Sequence, residues 1–375
     1  MVESRRATLM TQVSNEHPFQ CANCRIDDAG ALEYREASAE AVGAYVCRQC
    51  TDWFPVQLGV ADFSPPALRD LPAFYRFAET YGSELGISEE SLAPEAEAAV
   101  GDGNASAQRA FFDSVAEEHD EEMLDSSTFW SACDSLVVDD WAAHTPSSSA
   151  VIDLGAGTGR CALRLAKRLG ADSTLLAVDV SVEMLRKAAV NFAAAGQPGR
   201  AFLAAGDCAE LAFVRPGRFD VGTAHGLLHH VREPLRVFEA WARVSKPASN
   251  LFVHDNNRTV FRPLFDALMS RKPLWDGGGH EWQPVLAKSD IQKWADECGM
   301  ELNLQTHVFV PPHLAAALSH AASRRLIQRS DQLMQAVPGV RDQGGIVLFE
   351  AYRGRGALLD YASAGAAQRA SLRDR

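Results

Sequence analysis

Four of the eight cysteines stand in two tight pairs, Cys21-Ala-Asn-Cys24 and Cys47-Arg-Gln-Cys50, with 22 residues between the pairs. Four thiolates arranged this way close a tetrahedral zinc site and leave no open coordination position, so the metal's role is structural. A redox C-x-x-C would not need two copies. Zinc should stabilise this unit directly, because so short a segment has little core of its own. Cys133, Cys161, Cys208 and Cys298 are scattered singly. That is not a disulfide framework, and the usage suits a reducing compartment, the cytoplasm.

A second group of residues is built for a ligand. VIDLGAGTGR places Gly155, Gly157 and Gly159 after a strand-like run and at the opening of a helix. Glycine there allows a tight turn and lets a ligand approach bare backbone. A dinucleotide fingerprint needs its third glycine at the position held by Arg160, so a nicotinamide or flavin cofactor is disfavoured. Asp153 lies two residues before the first glycine, and Asp179 closes the next strand-like run, where a carboxylate can accept from both hydroxyls of a ribose. Asp207 follows the third run and is placed to meet an adenine amino group.

A third group could move protons. His225, His229 and His230 follow the fourth strand-like run, His254 and Asp255 end the fifth, and GGGHEW carries His280 and Glu281. Imidazole titrates near neutral pH, which suits a general base. His229, His230, His254 and His280 are the candidates for that role, with helix capping or packing as the competing use.

The elements that must hold these groups can be read from periodicity. SAVIDLG (149–155), STLLAVDV (173–180), RAFLAAG (200–206), RFDVGTAH (218–225) and NLFVHD (250–255) are short and apolar, like strands buried on both faces of a parallel sheet. Between them, TGRCALRLAKRLG reads as a helix ending at Gly170, and a second helix starts on the N-cap Ser181 and buries Met184, Leu185, Ala188 and Phe192. Such alternation implies a doubly wound α/β sheet with ligands at the carboxyl ends of its strands.

Five segments in this order resemble the class I S-adenosylmethionine-dependent methyltransferases over about 200 residues: VIDLGAGTGR, LLAVDVSVEML, AGDCAEL, FDVGTAHGLLHHVREP and WARVSKPASNLFVHD. The resemblance implies a Rossmann-like seven-stranded sheet closed by an antiparallel hairpin, with GGIVLFEAYR as its last strand. It places Asp153, Gly155 and Gly157 along the methionine and ribose portion of S-adenosylmethionine, and Asp179 on the ribose. Val180 and Met184 would lie near the adenine, Asp207 and Cys208 at its edge, and His225 beside the methionyl group. QRAFFDSVAEEHDEEM resembles the cap helix of small-molecule members, with His119 where the family often has tyrosine. Some quinone-type O-methyltransferases bind a metal through two glutamates and a histidine after the fourth strand. The corresponding positions here are Gly226, His229 and His230, so that metal site is not carried over. The segment FPVQLGVADF after the second cysteine pair resembles zinc-ribbon activators of tRNA, rRNA and protein methyltransferases.

The expected organisation is a zinc ribbon over 1–64, a helical linker and cap over 65–145, a methyltransferase domain over 146–352 and a tail over 353–375. With 375 residues and 47% of them hydrophobic, the chain can build such a core. A net charge of -13 argues against nucleic acid as a partner. No apolar run reaches the ~20 residues that span a bilayer, so no membrane partner is expected. The leading reading is methylation of the O, N or C atom of a small-molecule acceptor, of the kind found in specialised metabolism. The alternatives are an RNA or protein methyltransferase with a built-in activator, a scaffold that only binds the cofactor, and an enzyme that uses the sulfonium for a different outcome. A carrier-protein partner and self-association are left open by the sequence.

Overall fold

In a computed structural model of the chain, which describes residues 17–24, 31–92, 103–125, 128–196, 200–271 and 285–354, the short apolar runs pair into one mixed sheet. The cysteine-rich segment supplies β1 (Leu32–Glu36), β2 (Val42–Cys47), β3 (Trp53–Gln57) and β4 (Val60–Asp62). The rest of the chain supplies β5 (Ala150–Leu154), β6 (Thr174–Asp179), β7 (Arg200–Ala205), β8 (Phe219–His225), β9 (Ser245–Asn256), β10 (Glu301–His307) and β11 (Ile346–Arg353). The order is β1-β2-β3-β4-β7-β6-β5-β8-β9-β11-β10. Strands β5 to β9 run parallel, and β11 is antiparallel to both β9 and β10. The seven strands from β7 to β10 in that order form the doubly wound sheet with its closing hairpin, as the motifs imply.

The described helices are α1 (Leu71–Leu85), α2 (Gly103–Asp125), α3 (Thr128–His144), α4 (Arg160–Ala166), α5 (Val182–Ala195), α6 (Pro234–Val244), α7 (Arg262–Arg271), α8 (Lys288–Glu297), α9 (Pro312–Ala316) and α10 (His320–Met334). On one face of the sheet, Val138 and Trp141 of α3, Leu165 of α4 and Phe192 of α5 pack on Val151, Leu175 and Phe252. On the other, Phe238 and Trp241 of α6 and Ile291 of α8 pack on Leu251, Val253 and Phe349. Among the described residues no helix is long and apolar enough to cross a membrane.

Two boundaries differ from those read off the sequence. Helix α4 ends at Ala166 rather than at Gly170, because residues 168 and 169 tighten into i→i−3 hydrogen bonds and Gly170 N–H donates to Ser147 O at 2.7 Å. Strand β9 begins at Ser245, five residues before the apolar run, and the added length is irregular: its register against β8 shifts between Phe219 and Val221, and Ala248 sits at φ 63. Polar residues and Pro247 hide that extension from a periodicity argument.

The cysteine-rich segment continues the sheet. β4 runs parallel to β7, with Val60 opposite Leu203, Ala61 opposite Ala204 and Asp62 opposite Ala205. β7 would otherwise end the sheet as an unpaired edge. Side chains reinforce the junction: Phe63 stacks on Phe213 at 4.9 Å, and Phe19 meets Phe63, Phe202 and Tyr45 at 4.8, 5.7 and 5.2 Å. All five aromatics belong to the core cluster that also holds Cys21 and Cys47. Each buried ring contributes roughly 2 kcal/mol of apolar burial. The outer side of β2 and β3 is covered by α1, where Trp53 lies 5.5 Å from Phe74 and 5.8 Å from Phe77. The tail beyond Gly354 lies outside the described residues.

Candidate functional site

Because β7, β6, β5 and β8 are neighbours in that order, the glycine loop and the strand-end acids meet along one edge of the sheet. Gly155, Gly157 and Gly159 have φ of 69, 53 and 85, a region that side chains other than glycine avoid. A Cβ on Gly155 would stand 2.8 Å from Leu227 Cδ1, whereas one on Gly157 would meet nothing within 4 Å. The loop is therefore packed from one side and open on the other.

Asp179 is the hinge of this edge. Its Oδ2 accepts from Gly157 N–H at 2.8 Å and its Oδ1 from Ser181 N–H at 2.9 Å. A carboxylate offers about four acceptor positions, so roughly two remain for hydroxyl donors. Burial raises the Asp179 carboxyl and Asp113 adds to the rise, while the backbone N–H groups of Ser181, Gly157 and Val180 oppose it. Asp153, 1% exposed, accepts from Thr223 Oγ1 at 2.7 Å through Oδ1, while its Oδ2 has no partner. Burial pushes this carboxyl up to about 6.

Val180 is half-buried at the start of the α5 turn. Met184 is 1% exposed, its N–H donating to the N-cap Ser181 Oγ at 3.0 Å, so its side chain is part of the buried face of α5. Asp207 accepts from Ala209 N–H at 2.7 Å. Cys208 is buried with its Sγ 3.9 Å from Val178 O, and burial drives its thiol well up.

The histidines separate into distinct settings. His225 ends β8 and stacks on His254 of β9, ring centroids 4.4 Å apart and planes within 9°. Its Nε2 lies 3.2 Å from Asp134 Oδ1, and Asp134 in turn pairs with Arg160 Nε at 3.0 Å. Burial alone would raise Asp134, but Arg160 and His225 hold it well below the usual carboxylate range. His254 is 2% exposed, and burial next to His225 lowers it far enough to keep it neutral, with no hydrogen-bond partner at Nε2. On the opposite side of β9, Asp255 Oδ1 lies 2.7 Å from His229 Nδ1. Asp255 is itself fixed by the N–H groups of Leu228 at 2.7 Å and Asn256 at 2.6 Å. His230 lies beside His229, ring centroids 3.9 Å apart, and meets the Phe112 ring edge-on at 5.2 Å. His280 and Glu281 lie outside the described residues, as does the side chain of His119.

Helix α2 closes the edge from above. Asn104 Nδ2 donates to His230 O at 2.8 Å, and Asp113 Oδ1 accepts from Ser181 Oγ at 2.6 Å. Arg109 joins Asp113 (3.6 Å) to Asp62 (3.8 Å) and donates to Ser64 Oγ and Leu68 O. Asn104, Arg109, Asp113 and Asp134 were not legible as site residues. They bear no fixed spacing to the glycine loop, and only their place on helices flanking the sheet could have hinted at them.

The cysteine pairs meet as the spacing requires. Cys21 Sγ is 3.6 Å from Cys50 Sγ and Cys24 Sγ is 3.5 Å from Cys47 Sγ, with all four sulfurs within 4.8 Å of one another. Four thiols converging on one point fit a single structural zinc ion.

Comparison with known proteins gives the family. The sequence profile of a methyltransferase domain family matches residues 151–248. A ubiquinone biosynthesis O-methyltransferase of Methylococcus capsulatus is 30% identical over 164 residues, covering 43% of this chain and 67% of that protein. Its namesake in Dechloromonas aromatica is 30% identical over 166 residues, covering 43% and 69%. The chain thus spans about two thirds of the length of these relatives. The crystal structure of the YcgJ protein of Bacillus subtilis superimposes with a TM-score of 0.41 at 17% identity, covering 58% of this chain and 98% of that one. The open side of Gly157, the orphaned Oδ2 of Asp153 and the spare acceptor positions of Asp179 fit S-adenosylmethionine. The chain belongs to the class I S-adenosylmethionine-dependent methyltransferases, and it carries a four-cysteine zinc ribbon whose strands extend the catalytic sheet.

Proposed function

We propose that the protein methylates a hydroxyl group of a small-molecule acceptor, with His229 as general base and Asp255 as the residue that orients it. The observation that carries this reading is the 2.7 Å contact between His229 Nδ1 and an Asp255 carboxylate already anchored by two backbone N–H groups. S-adenosylmethionine supplies an electrophilic methyl group on a sulfonium. Asp255 keeps the proton of neutral His229 on Nδ1, so the Nε2 lone pair is the one available to the acceptor. As the acceptor oxygen gives up its proton to Nε2, the imidazolium that forms is stabilised by the same carboxylate. His229 is partly exposed in the loop after β8, next to Gly226, and the following Leu227 lies against Gly155. His254 is sealed in the core and suits packing rather than proton transfer.

In this reading the glycine loop, Asp153, Asp179, Val180, Met184, Asp207, Cys208 and His225 form the cofactor's surroundings. The segment 1–64 clamps the catalytic domain of 146–352 through β4, and part of 65–145 is the cap that excludes water and favours a small acceptor. Two curated relatives named as O-methyltransferases support oxygen as the methylated atom. The zinc thiolates call for a reducing environment, which supports a cytoplasmic location.

The test is a panel of phenols, catechols and hydroxylated aliphatics incubated with the zinc-loaded protein and methyl-labelled cofactor. Label in a small-molecule ether, lost in H229A, is the expected result. Label appearing only in protein or RNA, or turnover undiminished in H229A, would overturn the proposal.

A further inference from the structure

We propose that Gln108 recognises the amino-acid end of S-adenosylmethionine, its side-chain N–H donating to the ligand carboxylate and its Oε1 accepting from the ligand ammonium. The proposal rests on the cofactor assignment made above and adds to it a residue outside the sheet-edge motifs.

Gln108 is 3% exposed, and neither Nε2 nor Oε1 has a hydrogen-bond partner. A buried primary amide left wholly unsatisfied costs free energy, and its retention needs a reason. Its position supplies one. Gln108 follows Asn104 by four residues and precedes Phe112 by four, so the three share one face of α2. Asn104 and Phe112 both contact His230, in the loop after β8. One residue beyond Phe112, Asp113 holds Ser181 and Glu183, at the start of α5 after β6. In the sheet β5 lies between β6 and β8, so a helix tied to the loops of both outer strands crosses above the glycine loop of the middle one. Gln108 lies on the buried face of that crossing helix, which it shares with Asn104 and Phe112. The strand and loop that the helix crosses offer Gly157, with open space where a side chain would be, and Asp153, with a carboxylate oxygen that has no partner.

The unmatched groups are complementary to one chemistry. An amide with two donors and an acceptor, on a helix that crosses a strand end holding a free carboxylate oxygen, suits a zwitterion that presents a carboxylate and an ammonium side by side. With the adenosine portion assigned to Asp179 and the strand ends beyond it, the methionyl portion falls to the β5–β8 side, which the helix bearing Gln108 crosses.

Isothermal titration with two probes separates this role from general support of the chamber. S-adenosylhomocysteine carries the amino-acid end, and 5′-methylthioadenosine lacks it. Q108L and Q108M should weaken S-adenosylhomocysteine on the order of tenfold or more, as for a lost hydrogen bond to a charged group. The same variants should leave methylthioadenosine affinity within about twofold, because no contact to it is removed. They should also keep full zinc content and melt at or above the wild-type temperature without ligand, since an unsatisfied amide is replaced by an apolar side chain. Unchanged affinity for S-adenosylhomocysteine, or equal weakening of both probes, would overturn the proposal. Wild-type protein that binds neither probe would instead overturn the cofactor assignment itself.

Discussion

Asp113, on the cap helix, accepts the hydroxyl hydrogen bond of Ser181 at 2.6 Å, and Ser181 in turn donates its backbone N–H to Asp179. Arg109 holds Asp113 from the other side and reaches Asp62 at the end of the ribbon strand β4. A continuous polar path therefore runs from the cysteine-rich segment to Asp179, the acid proposed to take the ribose. R109M should weaken S-adenosylhomocysteine binding roughly five- to thirtyfold, about 1–2 kcal/mol, without removing a residue assigned to ligand contact. Calorimetry of R109M, D113A and the double variant checks this. Additive losses in the double variant would mean that the two residues do not act as one unit.

Removing zinc should have a related effect. The ribbon shares its aromatic core with β7 and Phe213, so its collapse exposes the sheet edge that β4 covers. Treatment with a strong chelator, or the C21S and C47S substitutions, should release zinc and lower the melting temperature by at least several degrees, the scale of a loss of a few kcal/mol. A metal-free protein with unchanged melting and cofactor affinity would show that the ribbon is an independent appendage.

For the proposed base, H229A should lower kcat by roughly 10²- to 10⁴-fold while leaving S-adenosylhomocysteine affinity within a few-fold. D255N should fall between wild type and H229A, because it keeps the shape but no longer fixes the tautomer. H254A should act mainly on stability, since its ring is core. Single-turnover rates measured beside binding constants separate these outcomes.

Cofactor affinity should depend on pH through Asp153. In the free protein its carboxyl titrates near 6, because burial opposes the charge. Thr223 and His225 oppose that shift, and the Cys161 thiol adjoins it. Below that pH the group is protonated, and a ligand ammonium bound beside it, as the proposed cofactor pose requires, would favour the ionised form, so binding should release a proton. Affinity should therefore fall as pH drops through about 6, by up to roughly tenfold per unit. Titrations in buffers of different ionisation enthalpy measure the proton released, and D153N should abolish the release.

The closing hairpin carries its own pH signature. Burial lowers His307, but the Asp331 carboxylate 2.7 Å away outweighs it and raises the imidazole above its ordinary value. A raised histidine stabilises the fold fully below its unfolded pKa and loses that contribution as pH rises through the folded one. Wild type should therefore lose stability relative to H307Q as pH climbs above the ordinary histidine range. Parallel melting curves of the two proteins that do not converge would count against the ion pair.

Adjacent residues fixed much of this protein. The glycines at 155, 157 and 159 read as a tight turn that leaves backbone bare, the apolar runs between helices as a parallel sheet, and the two C-x-x-C pairs as one tetrahedral site. These features are local, set by backbone sterics, strand period and ligand spacing, so they survive being read one segment at a time. The contacts that join segments are of another kind. That β4 would lie along β7, that Asp113 would reach Ser181 across 68 residues, and that Asp255 rather than another acid would hold His229 depended on which strand edges and loops the fold brought together. Such pairings carry no periodicity, and only the packed chain, by burying those polar groups until each needed a partner, decided them.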